Sequence, residues 1–196
     1  MKHFVICNSG RAGSKWIATV FSLLEIPTSC ERAYIVHGAE EMVEVLRQWS
    51  FLGESSHLAS IFMLQIPSDI VVFYQYKERK IYIEQMTKDG WFADKLKKEG
   101  SGKQSRLLME HFPAIKKIKR QPQRIGYIYD KFMEFAKQRA DLIYNIDDLD
   151  YKILQKMLEL IEAPDEYFRP DLLQSALDHT PHGIDVNPDH LTIITK

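Results

Sequence analysis

Apolar residues in this chain fall into two kinds of run. Continuous runs of bulky Val, Ile, Phe and Tyr (His3–Cys7, Ala33–His37, Ile70–Tyr76, Asp141–Ile146, with Ile61–Gln65 as a further candidate) predict strands buried on both faces. Runs with apolar residues three and four apart predict helices over Ser14–Leu24, Ala39–Trp49, Lys80–Thr87, Phe92–Lys98, Ile125–Arg139, Asp150–Ile161 and Asp171–Asp178. Buried strands alternating with helices specify an α/β domain, with a mostly parallel central sheet of about five strands flanked by helices. Gly100-Ser101-Gly102-Lys103 reads as a mobile loop and Gln121-Pro122-Gln123 as a break between elements. No internal repeat and no dividing linker is evident, so residues 1–196 read as one domain.

Composition changes this picture little. Apolar residues at 45% and charged residues at 27% are ordinary globular values, and a net charge of −1 makes no case for bulk nucleic-acid or membrane binding. Of the two cysteines, Cys7 sits in the first strand and reads as a buried thiol. The N-terminal apolar run is too short for a signal peptide, and no stretch approaches the roughly 20 apolar residues that span a bilayer. The expectation is a reducing, cytoplasmic location.

Candidate chemistry concentrates at the first strand-to-helix junction, Phe4 to Phe21. An apolar run ends in Asn8-Ser9-Gly10-Arg11-Ala12-Gly13, and Ser14 opens a helical run through Trp16, Ile17, Val20 and Phe21. A glycine turn that aims backbone N–H groups at a helix N-terminus holds phosphate, because the amides and the helix dipole both favour an anion. Arg11 and Lys15 add full charges. A nucleoside triphosphatase loop needs Ser or Thr directly after its Lys to hold magnesium. Here Trp16 follows Lys15, which suits phosphate chemistry that needs no divalent metal.

Gly10-Arg11-Ala12-Gly13-Ser14-Lys15-Trp16 resembles the 5′-phosphosulfate loop of the sulfotransferases, enzymes of P-loop-like α/β fold that use 3′-phosphoadenosine 5′-phosphosulfate as sulfuryl donor. Three later segments follow in the family's order. Ser55-Ser56-His57-Leu58-Ala59 is similar to the stretch whose His is the catalytic base, with His57 on that position and Ser55 where the family has Lys. In Asp69 to Met86, Lys77 and Gln85 fall on the Arg and Ser positions that bind the donor's 3′-phosphate. Tyr144 to Leu149 match a late turn, with Asp147 and Asp148 in its acidic positions. The resemblance covers about residues 4–164 and leaves 165–196 as a C-terminal helix and tail; the family's closing Arg-Lys-Gly loop is not evident.

The resemblance implies sulfuryl transfer to a hydroxyl or amine of a small-molecule or carbohydrate acceptor. Arg11 would face the bridging oxygen, and Ala12, Gly13, Ser14 and Lys15 would hold the 5′-phosphate. Trp16 lies in the same loop and would pack its helix against the sheet. His57 would take the acceptor proton, no metal would be required, and no nucleic-acid or membrane partner is implied. His37, at the end of a strand candidate, is the second choice of base. Two other classes stay open: a phosphate-loop kinase, which would depend on magnesium, and an inactive sulfotransferase-like binding module. Elsewhere, Asp147 and Asp148 read as a turn and helix N-cap. His179 and His182 lack a third metal ligand nearby, and Lys116-Lys117-Ile118-Lys119-Arg120 with Arg124 reads as a solvated face or an anion-attracting patch. Tyr127, Tyr129, Phe132 and Phe135 read as core at helical spacing.

Overall fold

The computed structural model describes residues 1–10, 13–30, 38–48, 51–93 and 101–179. It is α/β, with one parallel sheet in the order β2-β3-β1-β4-β5: β1 Phe4–Asn8, β2 Thr28–Cys30, β3 Gly53–Ser56, β4 Val71–Tyr76 and β5 Leu142–Asn145. Helices cover both faces. They are α1 Ser14–Leu23, α2 Ala39–Gln48, α3 Arg79–Lys88, α4 Ser101–His111, α5 Gln121–Arg139, α6 Tyr151–Leu160 and α7 Pro170–Asp178.

Strand alternation divides the core in two. Val5, Cys7, Val72 and Tyr74 face a layer built from α2, α3, α4, α5 and a 3₁₀ stretch, Leu58–Gln65. Phe4, Ile6, Val71 and Phe73 face α1, α6 and α7. Every residue of β1 is buried, which explains its unbroken apolar run. Phe4 packs against Phe21 (centroids 4.8 Å apart) and Phe73 (5.9 Å), and its ring lies where a Cβ on Gly53 would stand, 2.2 Å away. Gly53 is thus fixed by the aromatic beside it.

Several elements differ from those the pattern predicts. Ile61–Gln65 is not a strand but part of the 3₁₀ stretch; a short run that is apolar on all sides is equally compatible with a buried helical segment. β3 and β2 replace it in the sheet. β3 reads Gly-Glu-Ser-Ser and carries no β-branched residue, yet Glu54, Ser55 and Ser56 are all buried. Glu54 is tolerated there because the Ser29 hydroxyl donates to its carboxylate from β2.

Ser101-Gly102-Lys103 opens α4 rather than forming a loop; downstream in that helix, the buried Ser105 hydroxyl accepts from the Phe92 backbone N–H at 3.0 Å. Gln121-Pro122-Gln123 is the first turn of α5 rather than a break, since proline fits a position whose N–H needs no partner. The N-cap of α6 is Asp150, which accepts from Ile153 N–H at 2.9 Å, and not Asp148; Asn145 caps the preceding turn. Trp91 and Phe92 lie in a turn instead of starting a helix. Residues 94–98 of that candidate and the strand candidate Ala33–His37 lie outside the described residues.

Candidate functional site at the carboxyl edge of the sheet

The topology opens a crevice at one place. The chain leaves β1 toward α1 on one face of the sheet and leaves β3 toward the 3₁₀ stretch on the other. β1 and β3 are neighbours, so their exits diverge and a ligand can enter between them. Gly10 of the glycine turn and His57 meet side by side at this strand exit. A Cβ placed on Gly10 would stand 3.9 Å from Cδ2 of His57 and 3.4 Å from Cε of Met86.

The turn is shaped by local bonds. Asn8 Oδ1 accepts from the Gly10 N–H at 3.0 Å, Ser9 N–H donates to the Gln75 carbonyl at 3.3 Å, and the Ser60 hydroxyl donates to the Asn8 carbonyl at 2.8 Å. Gly10 (φ +84°) and Gly13 (φ +80°) both occupy left-handed backbone, which other residues adopt with strain. Gly13 is the N-cap of α1 and brings no side chain to the first turn, which also holds no acidic residue. The amide end of that helix is therefore presented without a competing carboxylate.

Ser14 is half-buried and Lys15 exposed, both in the first turn of α1; Trp16 is buried in the core layer that also contains Tyr144 and Ile146. Arg11, Ala12 and His37 lie outside the described residues, as does His182.

Three buried polar atoms near this edge have no hydrogen-bond partner: Asn8 Nδ2, Ser9 Oγ and Ser55 Oγ. Ser55 pairs with Ile6 in register, so it lies on the same sheet face as Asn8. A buried polar group left unmatched costs about 1–3 kcal/mol, so such atoms suit a polar guest. His57 is buried at the carboxyl end of β3, and its ring meets Trp91 edge-on at 5.4 Å and 80°. It stands at a strand exit, the edge where α/β sheets bind ligands.

On the other flank of β1, Gln75 of β4 accepts a 2.6 Å bond from the buried Tyr144 hydroxyl, and its Nε2 lies 3.9 Å from where a Gly13 Cβ would stand. Lys77 follows, with its carbonyl held by the Tyr129 hydroxyl at 2.9 Å; burial pushes that phenol up to about 12. Lys77, just past β4, and Gln85, in the helix that follows, line one concavity of about 300 Å³.

Other candidates fall away from this edge. Asp147 and Asp148 are exposed on their turn. His179 is exposed, with Nδ1 2.7 Å from the Ser175 carbonyl, and among the described residues no group of three or more His, Cys, Asp or Glu is placed to hold a metal. Lys116, Lys117, Lys119 and Arg120 are exposed, whereas Arg124 turns inward to the carbonyls of Ile118 and Phe92. Tyr129 and Phe132 are core, and Tyr127 and Phe135 are packed against it. Cys7 is buried, and burial pushes its thiol well above the ordinary value. Among the described residues no helix is long and apolar enough to cross a membrane.

Residue patterns alone did not single out Asn8, Trp91 or Met86. The signal for Asn8 was present, a carboxamide ending an otherwise apolar strand. Trp91 reaches His57 from the turn after α3, and Met86 reaches Gly10 from α3 itself, approaches that no periodicity reveals. No protein-family model matches the chain, and no curated protein matches it.

Proposed function

We propose that the chain is a sulfotransferase that moves a sulfuryl group from 3′-phosphoadenosine 5′-phosphosulfate to a hydroxyl or amine of a small-molecule or carbohydrate acceptor. The observation that supports this reading most is the close approach of buried His57 to Gly10 of the glycine turn, from segments far apart in sequence. A phosphate cradle with an imidazole beside it is an arrangement that group transfer to a hydroxyl or amine can use. The partnerless Asn8 and Ser9 side-chain atoms at the turn add hydrogen-bonding capacity for a phosphosulfate.

In this reading the amide end of α1, Ser14 and Lys15 hold the 5′-phosphate. Arg11, between the two glycines in sequence, neutralises charge on the oxygen that bridges phosphorus and sulfur. The acceptor oxygen or nitrogen forms a bond to sulfur as the bond from sulfur to the bridging oxygen breaks, and His57 receives the acceptor proton. The products are a sulfate ester (a sulfamate from an amine) and adenosine 3′,5′-bisphosphate. Lys77 and Gln85 bind the 3′-phosphate.

The test is a sulfuryl-transfer assay over a broad acceptor panel, without magnesium. Arg11→Ala should lower the rate by about 10²- to 10³-fold, as removal of a transition-state donor does. His57→Ala should abolish the proton-transfer contribution, about 10²-fold or more. Transfer that appears only with ATP and magnesium would replace this reading with a kinase. A folded protein without turnover or nucleotide binding would leave a binding module.

A further inference from the structure

Phe92, in the turn after α3, stands in left-handed backbone at φ +53°, which a bulky side chain adopts only under constraint. Helix termination does not account for it. α3 already ends in a left-handed glycine cap: Gly90 has φ +76°, and the N–H groups of Gly90 and Trp91 donate to the carbonyls of Thr87 and Met86, both at 3.1 Å. A second left-handed residue two positions later needs another reason. Three side chains from two other helices hold it there. Gln121 Nε2, in the first turn of α5, donates to the Trp91 carbonyl at 2.7 Å and to the Thr87 carbonyl at 3.3 Å. One turn further along α5, Arg124 Nη1 donates to the Phe92 carbonyl at 2.8 Å. From α4, the buried Ser105 hydroxyl accepts the Phe92 N–H at 3.0 Å.

What these bonds keep in place is the Trp91 indole, buried and set against the His57 ring at 5.4 Å and 80°. A perpendicular pair is one of the arrangements aromatic rings favour. An imidazole has no sharp torsional well about the bond to its ring, so its orientation depends on what packs against it. A base must present its nitrogen within hydrogen-bond reach of the proton it takes, and a misplacement of about 1 Å can cost 10²-fold in rate.

We propose that the turn Gly90-Trp91-Phe92 is a positioning device for His57. Trp91 is the positioning residue, and Gln121 and Arg124 hold it from α5 while Ser105 holds it from α4. The strain at Phe92 is maintained because it sets the indole against the imidazole. This rests on the role of His57 as base in the sulfuryl-transfer reading, and adds how that base is aimed.

The test is steady-state sulfuryl transfer by the full chain, with calorimetric binding of adenosine 3′,5′-bisphosphate alongside. The proteins are the wild type, Trp91→Ala, Trp91→Phe, Gln121→Met and, as a control destabilised at the opposite edge of the sheet, Arg139→Ala, each checked for folding by circular dichroism. Trp91→Ala should lower kcat about 10- to 10²-fold, with acceptor KM and bisphosphate affinity unchanged. Trp91→Phe keeps a ring beside His57 and should recover most of that loss. Gln121→Met removes a clamp without touching the imidazole; it should lower kcat by less, again with KM unchanged, and it decides the matter if Trp91→Ala does not fold. Arg139→Ala should keep the wild-type kcat. An unchanged kcat in folded Trp91→Ala (or, failing that variant, in Gln121→Met), a loss that falls on KM or bisphosphate affinity instead, or an equal loss in Arg139→Ala overturns the positioning role and leaves the sulfotransferase reading standing. A folded wild type without turnover overturns both.

Discussion

The two edges of the sheet are built on opposite principles. At the amino edge polar groups are matched within the protein. Arg139 at the end of α5 donates to the carbonyls of Pro67 and Ile70, both at 2.7 Å, and of Ile66 at 3.2 Å. Asp141 takes the Val72 N–H at 2.8 Å and the Arg139 guanidinium at 3.3 Å. Among described residues, His3 Nδ1 is the exception at this edge. At the carboxyl edge Asn8 Nδ2, Ser9 Oγ and Ser55 Oγ are buried without partners, and two glycines hold left-handed backbone. One edge is closed by its own hydrogen bonds. The other carries the features expected where stability has been given up for ligand contact.

Breaking the amino edge should cost stability and spare binding. Arg139→Ala removes the side-chain donor from three carbonyls and a carboxylate, so we expect a loss of about 3 kcal/mol in urea unfolding with nucleotide affinity unchanged. A parallel loss of affinity would show that the edges are coupled. Gly53→Ala forces a methyl group into the Phe4 ring and should cost about 1–3 kcal/mol, read as a lower melting temperature. A neutral result would mean the ring moves aside freely.

A sharper contrast comes from two serines near the carboxyl edge, both buried. Ser60 donates to the Asn8 carbonyl, so Ser60→Ala should destabilise by about 1 kcal/mol. Ser55 Oγ has no partner, so Ser55→Ala should be neutral or stabilising by up to about 1 kcal/mol. Equal losses in both would remove the distinction between a matched and an unmatched hydroxyl.

The smallest effect concerns the clip between α3 and α5, where Arg79 holds Asp130 with two bonds of 2.8 and 2.9 Å. That hydrogen bond holds the Asp130 carboxyl below its ordinary value of 3.8. The stabilisation is therefore present at neutral pH and lost as pH falls below about 4. Both side chains are about half exposed, so it is worth only a few tenths of a kcal/mol. Asp130→Asn should narrow the drop in melting temperature between pH 6 and about pH 3 by that small amount.

Legibility followed the physics of each segment. β1 and β4 carry bulky apolar runs because both faces of those strands are covered, and the runs are visible as such. β3 was hidden because its side chains are polar and its acceptance in the sheet depends on Ser29 and Phe4, residues far away in sequence. The glycine turn was readable from its spacing, and the positive φ angles of Gly10 and Gly13 give the reason glycine stands there. The approach of His57 to that turn depends on the pairing of β1 with β3, which no single segment encodes.

The most direct measurement is calorimetric binding of adenosine 3′,5′-bisphosphate, without magnesium, to the wild type and to Arg11→Ala. The expected result is clear binding by the wild type that weakens by at least about tenfold when the loop cation is removed. A folded wild type that does not bind, or binding that Arg11→Ala leaves intact, contradicts the assignment of the glycine turn as the nucleotide cradle.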